Sequence, residues 1–168
     1  MNYNLSLDNK KNGSEFLENT LSIQQNIKNL KQTSEFLLSL DENVSQSNGW
    51  TLREILLHIW SWDEQMIDAC EAKIAGATDD DLFDYQKQGI EMDLWNEQMI
   101  EQKKDLSLEE VKKLFKETRE KTIKYFEKFF ANIETIEDEE SFLRFETVVV
   151  LWQHDKHHIE QAGQKVSL

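Results

Sequence analysis

The chain has 168 residues, enough for one domain with a sizeable core, and carries a formal charge of -14 at pH 7. Such an excess of negative charge repels nucleic acids and anionic membrane surfaces, so neither is an expected partner. The sequence contains no proline and only five glycines, a composition that favours long uninterrupted helices over sheets with tight turns.

Two features bear on where the protein works. Its single cysteine, Cys70, excludes an intramolecular disulfide, which fits a reducing cytoplasm. Residues 1–13 are polar and lack the apolar core of a signal peptide, and no apolar run is long enough to span a bilayer. We therefore expect a flexible segment over residues 1–13, followed by a single cytoplasmic domain over residues 14–168.

Apolar residues recur at helical spacing in four runs. The first extends over about residues 14–40 and the second over about residues 52–75. The third has two parts, about residues 90–103 and a second start at Leu108, and the fourth extends over about residues 142–164. These runs predict four long helices, the third of them interrupted.

Local signals mark where the helices begin and end. Thr51 with Glu54 and Ser107 with Glu110 each form a capping box, in which a hydroxyl residue is followed three positions later by a carboxylate. The acidic stretch over residues 76–89 is interpreted as an exposed connection between the second and third runs.

The fourth run contains three consecutive valines, Val148 to Val150, which favour strands intrinsically. A lone strand among helices would have no partner, so we interpret this run as a buried helix. The sequence therefore predicts an all-α protein, an antiparallel four-helix bundle in which sites are built from side chains on facing helices.

Three histidines lie where such helices can meet. His154 and His158 are spaced i, i+4 and leave the same face of the fourth run, while His58 lies on the apolar side of the second. Together they predict a three-nitrogen metal site with open positions for water or substrate, and imidazole suits zinc, nickel, copper or iron. The alternative is that His58 is a hydrogen-bonded core residue and the other two are polar helix residues.

Charged neighbours of the histidines admit a functional and a structural interpretation. Asp155 follows the first histidine of the pair, as glutamate does in His-Glu-x-x-His metalloproteases, and is the candidate to position or deprotonate a metal-bound water. A solvated helix carboxylate is the alternative. Glu160 and Asp63 are candidates to accept hydrogen bonds from ligand histidines. We interpret His157 as a surface residue or a neighbour of the site.

The tryptophans cluster near the histidines in sequence. Core packing is the expected role of most of them, and some are candidates to wall a substrate cleft. They are Trp50, Trp60, Trp62, Trp95 and Trp152. Cys70 lies on the apolar side of the second run and is expected to be a small buried side chain rather than a nucleophile.

These residues resemble the DinB-like superfamily of four-helix bundles, also called the DinB/YfiT-like fold, over about residues 14–164. The first matching motif is a tryptophan followed by a capped helix and a run that ends in histidine. It comprises Trp50, Thr51, Glu54, Ile55, Leu56 and His58, with Trp62 and Asp63 following. The second motif is the pair His154 and His158. Segment 95–111 looks like the branch that contains the colibactin self-resistance protein.

The resemblance implies a divalent metal, commonly zinc or nickel, held by His58, His154 and His158. It implies a metal-dependent hydrolase or thiol transferase that acts on a reactive small molecule in detoxification or stress resistance, and a homodimer is compatible with it. Many members follow the last histidine with one residue and then Gly-Gln. Here residues 159–161 read Ile-Glu-Gln, which weakens the assignment to the thiol transferases. The alternatives are a non-catalytic protein that sequesters a small molecule or metal, and a structural bundle.

Overall fold

The structure is a computed structural model, which describes residues 22–78, 82–133, 136 and 138–168. These residues form the α-helices α1 Ile23–Ser39, α2 Leu52–Ile74, α3 Asp84–Gln88, α4 Met92–Gln102, α5 Leu108–Phe129 and α6 Glu139–Gln161. A short 3-10 helix, Phe130–Asn132, follows α5. The described part of the chain contains no strand, and its one β-bridge joins Ser45 and Thr51. The all-α prediction is confirmed.

Most predicted boundaries lie within three residues of the observed ones. Both capping boxes form, and the Glu54 carboxylate accepts from the Thr51 backbone N–H at 3.0 Å. Helix α6, which corresponds to the predicted fourth run, begins at Glu139, earlier than predicted. It begins there because the Asp138 side chain caps it by accepting from the Ser141 N–H at 2.8 Å. Residues 1–21, including the predicted start of the first run, lie outside the described residues.

The connection after α2 corrects one expectation. The acidic stretch is interpreted above as an exposed connection, yet Leu82 and Phe83 are buried in the core, with the Phe83 ring 5.7 Å from that of Trp62. The buried pair leads directly into α3. Burial of these two apolar side chains stabilises the packing of the connection against the bundle. Residues 79–81 lie outside the described part of the chain.

Four long helices, α1, α2, α5 and α6, surround a common core. Both α1 and α2 pack against α5 and α6, so α1 lies diagonally opposite α2. Contacts along α2 and α5 advance together, Arg53 with Leu106 and Asp63 with Arg119, so these two helices run parallel. Along the chain, α3 and α4 lie between α2 and α5 and return the chain to the end of the bundle at which α2 begins.

The helices that carry the histidines, α2 and α6, run antiparallel, whereas α2 and α5 run parallel because α3 and α4 return the chain between them. His58 contacts His154, whereas Glu71, farther along α2, pairs with Arg144, which lies earlier on α6. His58 therefore faces the second half of α6.

Two apolar clusters fill the interior, and polar side chains gather where they meet. Leu151 belongs to the first cluster and Ile159 to the second, and the stretch of α6 between them carries His154, Asp155 and His158. This boundary layer positions the site.

The remaining expectations concern single residues and the membrane. Cys70 is buried, as expected, and so are Trp60, Trp62 and Trp95, which confirms core packing for these three tryptophans. Every helix in the described ranges is too short or too polar to cross a membrane. The cytoplasmic location stays a prediction.

Candidate metal centre

The structure brings the three predicted histidines together. The Nε2 atom of His154 lies 3.1 Å from Nε2 of His58 and 3.0 Å from Nε2 of His158. His154 and His158 reach this point from successive turns of α6, and His58 meets them from α2. We call these three residues the histidine group; each side chain is buried, with 6–8% of its residue surface exposed.

Burial keeps the histidine group uncharged. It lowers the pKa of His58 and His154 well below the usual value, and repulsion from neighbouring rings lowers both further. Burial likewise lowers the pKa of His158 to about 4, with a smaller contribution from His157. At neutral pH each ring therefore carries one N–H and one lone pair, and a lone pair on nitrogen is what a metal ion requires.

The donor set fits a metal ion. Nitrogens on a tetrahedral zinc ion, with bonds of about 2.0–2.1 Å, lie about 3.3 Å apart, and adjacent nitrogens of an octahedron lie about 3.0 Å apart. The observed separations of 3.0 and 3.1 Å are close to both. Among the described residues no carboxylate or thiol joins the group, so the site offers three neutral nitrogens. Such a set suits zinc, nickel, copper or iron and leaves coordination positions open.

The loop between α1 and α2 contributes two side chains to the site, and sequence reasoning did not assign one of them. Gln46 Nε2 lies 3.0 Å from His158 Nδ1 and 3.0 Å from the carbonyl oxygen of the same residue. The Trp50 ring stacks on the His158 ring, with centroids 6.2 Å apart and planes 18° apart, and lies 5.0 Å from His58. Trp50 was a candidate cleft wall, whereas nothing in the sequence marks Gln46.

A further unassigned residue reaches the site from α4. Asn96 is buried and accepts a hydrogen bond from Trp62 Nε1 at 2.9 Å. Its side chain also approaches His58 and opposes the lowering of the pKa of that ring. Trp62 in turn packs edge-on against His58, with centroids 6.3 Å apart. The buried side of His58 is thus lined by an amide and an indole.

Asp155 does not join the histidines. Its Oδ1 and Oδ2 accept from Arg119 at 2.9 and 3.1 Å, and Oδ2 also accepts from the Thr33 hydroxyl at 2.5 Å. Asp63 lies on the other side of Arg119, at 2.8 Å. We call Asp63, Arg119 and Asp155 the ion-pair network. The predicted role of Asp155 at a metal-bound water stays a prediction, and its observed contacts are with the network.

Two other candidates are corrected. Asp63 was a candidate acceptor for a ligand histidine, but its ion pair is with Arg119 because its position on α2 turns it toward α5. Glu160 was the second candidate, and it is exposed, 3.8 Å from Lys156. His157 is half-buried, with its ring 5.6 Å from that of His158 and outside the histidine group, in line with its interpretation as a neighbour.

A family model described as the DinB superfamily matches residues 28–162. The chain belongs to the DinB superfamily. The matched span includes the histidine group, Gln46 and the ion-pair network. No curated protein and no solved structure matches the chain.

In this DinB-superfamily protein the ion-pair network holds two carboxylates against one guanidinium, all buried. Burial raises the pKa of Asp63 to about 8, because the attraction of Arg119 does not offset burial and the nearby charge of Asp155. The pKa of Arg119 is raised, so the guanidinium stays charged. At neutral pH the network therefore holds one cation, one carboxylate and one carboxyl proton.

An open groove of about 520 Å³ lies between α2 and α5, and none of the histidines lines it. Three acidic side chains, Asp63, Glu64 and Asp68, lie along its wall with Lys121 and Tyr125. Asp63 of the ion-pair network lines this groove, and the histidine group lies outside it.

Proposed function

We propose that this protein binds one divalent metal ion, zinc or nickel, through His58, His154 and His158, and uses it on a reactive small molecule in detoxification or stress resistance. The observation that carries the proposal is the convergence of three neutral imidazole nitrogens, 3.0 and 3.1 Å apart, from two facing helices. Membership of the DinB superfamily supports it, because many proteins that share the histidine motifs bind a metal through them.

The chemistry we propose is hydrolysis or thiol transfer. A metal ion held in this way supplies Lewis acidity, which lowers the pKa of a water or thiol bound to it. The chain supplies three lone pairs, kept unprotonated by burial, and a Trp50 ring that covers two of the histidines. Both carboxylate oxygens of Asp155 accept hydrogen bonds from Arg119. Asp155 could therefore accept a proton from a bound water only if these hydrogen bonds change.

Metal content is the first test. The protein is purified without a histidine tag, incubated with zinc or nickel, desalted and subjected to elemental analysis beside His58→Ala, His154→Ala and His157→Ala. We expect about one ion per chain in the parent and in His157→Ala, which removes a neighbouring histidine from the same helix. We expect none in the other two variants, with helical content confirmed by circular dichroism. A parent that holds no metal overturns the proposal.

A sequestering protein is the second candidate, favoured by one observation. The histidine group is nearly closed to solvent, and no carboxylate accompanies it among the described residues, so the site lacks an adjacent general base. A sequestering protein binds its ligand stoichiometrically and forms no product. Assays with activated esters and with a thiol plus an electrophile, each with and without loaded metal, separate the two. Turnover lost in His58→Ala supports the enzyme.

The partner we propose is a small molecule rather than a nucleic acid or a membrane, in keeping with the charge of -14. A homodimer stays a prediction. Light scattering on the purified protein measures the mass in solution, which is 19.9 kDa for one chain.

A further inference from the structure

Gln46 is a buried polar residue in an exposed loop. Of residues 41–51, which connect α1 and α2, Gln46 alone is buried, with 5% of its surface exposed. Its neighbours Ser45 and Ser47 are exposed. Turning an amide inward costs free energy unless hydrogen bonds replace those made to water. The contacts of the Gln46 amide therefore explain its placement.

The loop backbone fixes where that amide lies. The Gln46 N–H donates to the Trp50 carbonyl at 2.8 Å, and the Gly49 N–H donates to the Gln46 carbonyl at 3.0 Å. Gly49 has a φ of 91°, a conformation that a residue with a side chain rarely adopts, and it closes this turn. The same turn places the Trp50 ring on the face of His158. The imidazole ring of His158 is thus contacted at its edge by Gln46 and on its face by Trp50.

The two contacts of the amide nitrogen determine where the proton of His158 lies. A backbone carbonyl only accepts, so the Gln46 group 3.0 Å from the His158 oxygen must be the NH2. The same nitrogen faces His158 Nδ1 at 3.0 Å, so Nδ1 accepts its second hydrogen. In a neutral ring the proton then lies on Nε2, which points at His154 Nε2 3.0 Å away.

We infer that Gln46 is a positioning residue that orients the His158 ring and selects the tautomer with its proton on Nε2. The consequence of this tautomer for metal binding rests on the proposed function. A metal that binds Nε2 requires that proton to leave or move to Nδ1, where the ring then needs an acceptor. Gln46 presents a donor there, and its own Oε1 is buried with no hydrogen-bond partner among the described residues. Gln46 thus weakens metal binding relative to an acceptor at the same position.

The test compares Gln46→Glu, which offers only acceptors, with Gln46→Met, which has similar length and offers neither. Gln153→Glu is the matched control, because it adds the same charge at an exposed position of α6. Two-dimensional 15N NMR of the imidazole rings, in chelator-treated protein at neutral pH, identifies the tautomer of His158. Zinc affinity is then measured by competition with a chromophoric chelator.

We expect His158 to carry its proton on Nε2 in the parent and in Gln153→Glu, on Nδ1 in Gln46→Glu, and on a mixture of both in Gln46→Met. We expect Gln46→Glu to bind zinc about tenfold more tightly than the parent, the lower end of the range for partners of ligand histidines. Gln153→Glu should change zinc affinity less than about twofold, because its added charge is solvated.

A parent with the proton on Nδ1, or one tautomer common to the parent and both Gln46 variants, overturns the inference. If the tautomers change as expected while no protein binds zinc, the tautomer assignment stands and the proposed metal function fails. The NMR measurement needs no bound metal, so the two failures are distinguishable. If Gln46→Glu does not fold, the parent and Gln46→Met decide between the same outcomes.

Discussion

The boundary between the two apolar clusters holds two buried polar groups of opposite character. The histidine group consists of three neutral rings, and among the described residues no carboxylate joins them. The ion-pair network consists of two carboxyl groups that pair with one guanidinium, with Thr33 as an additional donor to Asp155. The two groups are adjacent in sequence, because His154 belongs to one and Asp155 to the other.

The difference between them teaches which buried polar residues are available for function. In the network nearly all charge is matched inside the protein, so its parts stabilise the fold only while they stay together. In the histidine group each neutral ring keeps a lone pair of the kind that a metal ion requires. Successive residues of a helix point about 100° apart, which is why His154 and Asp155 belong to different groups. The predictions below break or sharpen this contrast, beginning with the largest effect.

Removing the cation should damage the network most. We expect Arg119→Met to lower the free energy of unfolding at pH 7 by about 3–5 kcal/mol, because it leaves a buried carboxylate without its counter-charge. The matched control is Lys31→Met, which breaks the exposed ion pair with Glu127 and should cost less than about 1 kcal/mol. Urea denaturation measures both. Equal losses in the two variants would contradict the contrast between buried and exposed pairs.

Asp155→Asn separates the network from the histidine group. The asparagine keeps one acceptor for Arg119 but loses the charge-assisted bonds, so we expect a loss of about 1–3 kcal/mol in unfolding free energy. Metal content should equal that of the parent, because the hydrogen bonds of Asp155 go to Thr33 and Arg119. Elemental analysis and urea denaturation provide the two readouts. Normal metal content with loss of any turnover would instead favour the predicted role of Asp155 at a metal-bound water.

The sequence predicts well what repeats along a helix. Apolar spacing and capping boxes located α2 and α5, and the i, i+4 pair with one histidine on a facing helix predicted the histidine group. These predictions succeed because side-chain direction on a helix follows from sequence spacing alone.

Other parts of the site depend on how separate elements meet. Gln46 lies in a loop without periodicity, and Asn96 reaches His58 only because α4 packs against α2. Arg119 stands between a threonine and a glutamate and resembles a surface residue in the sequence. Its burial is explained by Asp63 and Asp155, which arrive from two other helices. Tertiary pairing of this kind leaves no local pattern.

Acid should weaken the fold through the histidine group. Since the pKa of His158 is about 4 in the folded protein and 6.5 as the reference, the unfolded chain takes up a proton first as pH falls. Between pH 7 and 5 this costs the parent about 2 kcal/mol of unfolding free energy that His158→Gln does not lose. Urea denaturation of both proteins at pH 7 and 5, with a chelator present, measures the difference. Parallel pH profiles would contradict a neutral, buried His158.

A rise in pH should weaken the fold through the ion-pair network, whereas a fall in pH weakens it through the histidine group. Burial raises the pKa of Asp63 to about 8 from 3.8, so the folded protein holds a proton that the unfolded chain has already lost. The stability this proton provides is complete at low pH and declines as pH rises to about 8. Between pH 7 and 9 the parent should lose about 1 kcal/mol that Asp63→Asn keeps, measured by urea denaturation.

The network itself supplies the control for this last prediction. In Asp155→Asn the repulsion that helps to raise the pKa of Asp63 is absent, and Arg119 has Asp63 as its remaining ion-pair partner. The pKa of Asp63 should fall, so the loss of stability between pH 7 and 9 should shrink in that variant. A loss unchanged from the parent would show that the charge of Asp155 does not contribute to the raised pKa of Asp63. In that case the two carboxylates act independently, and the contrast with the mutually dependent histidines becomes sharper.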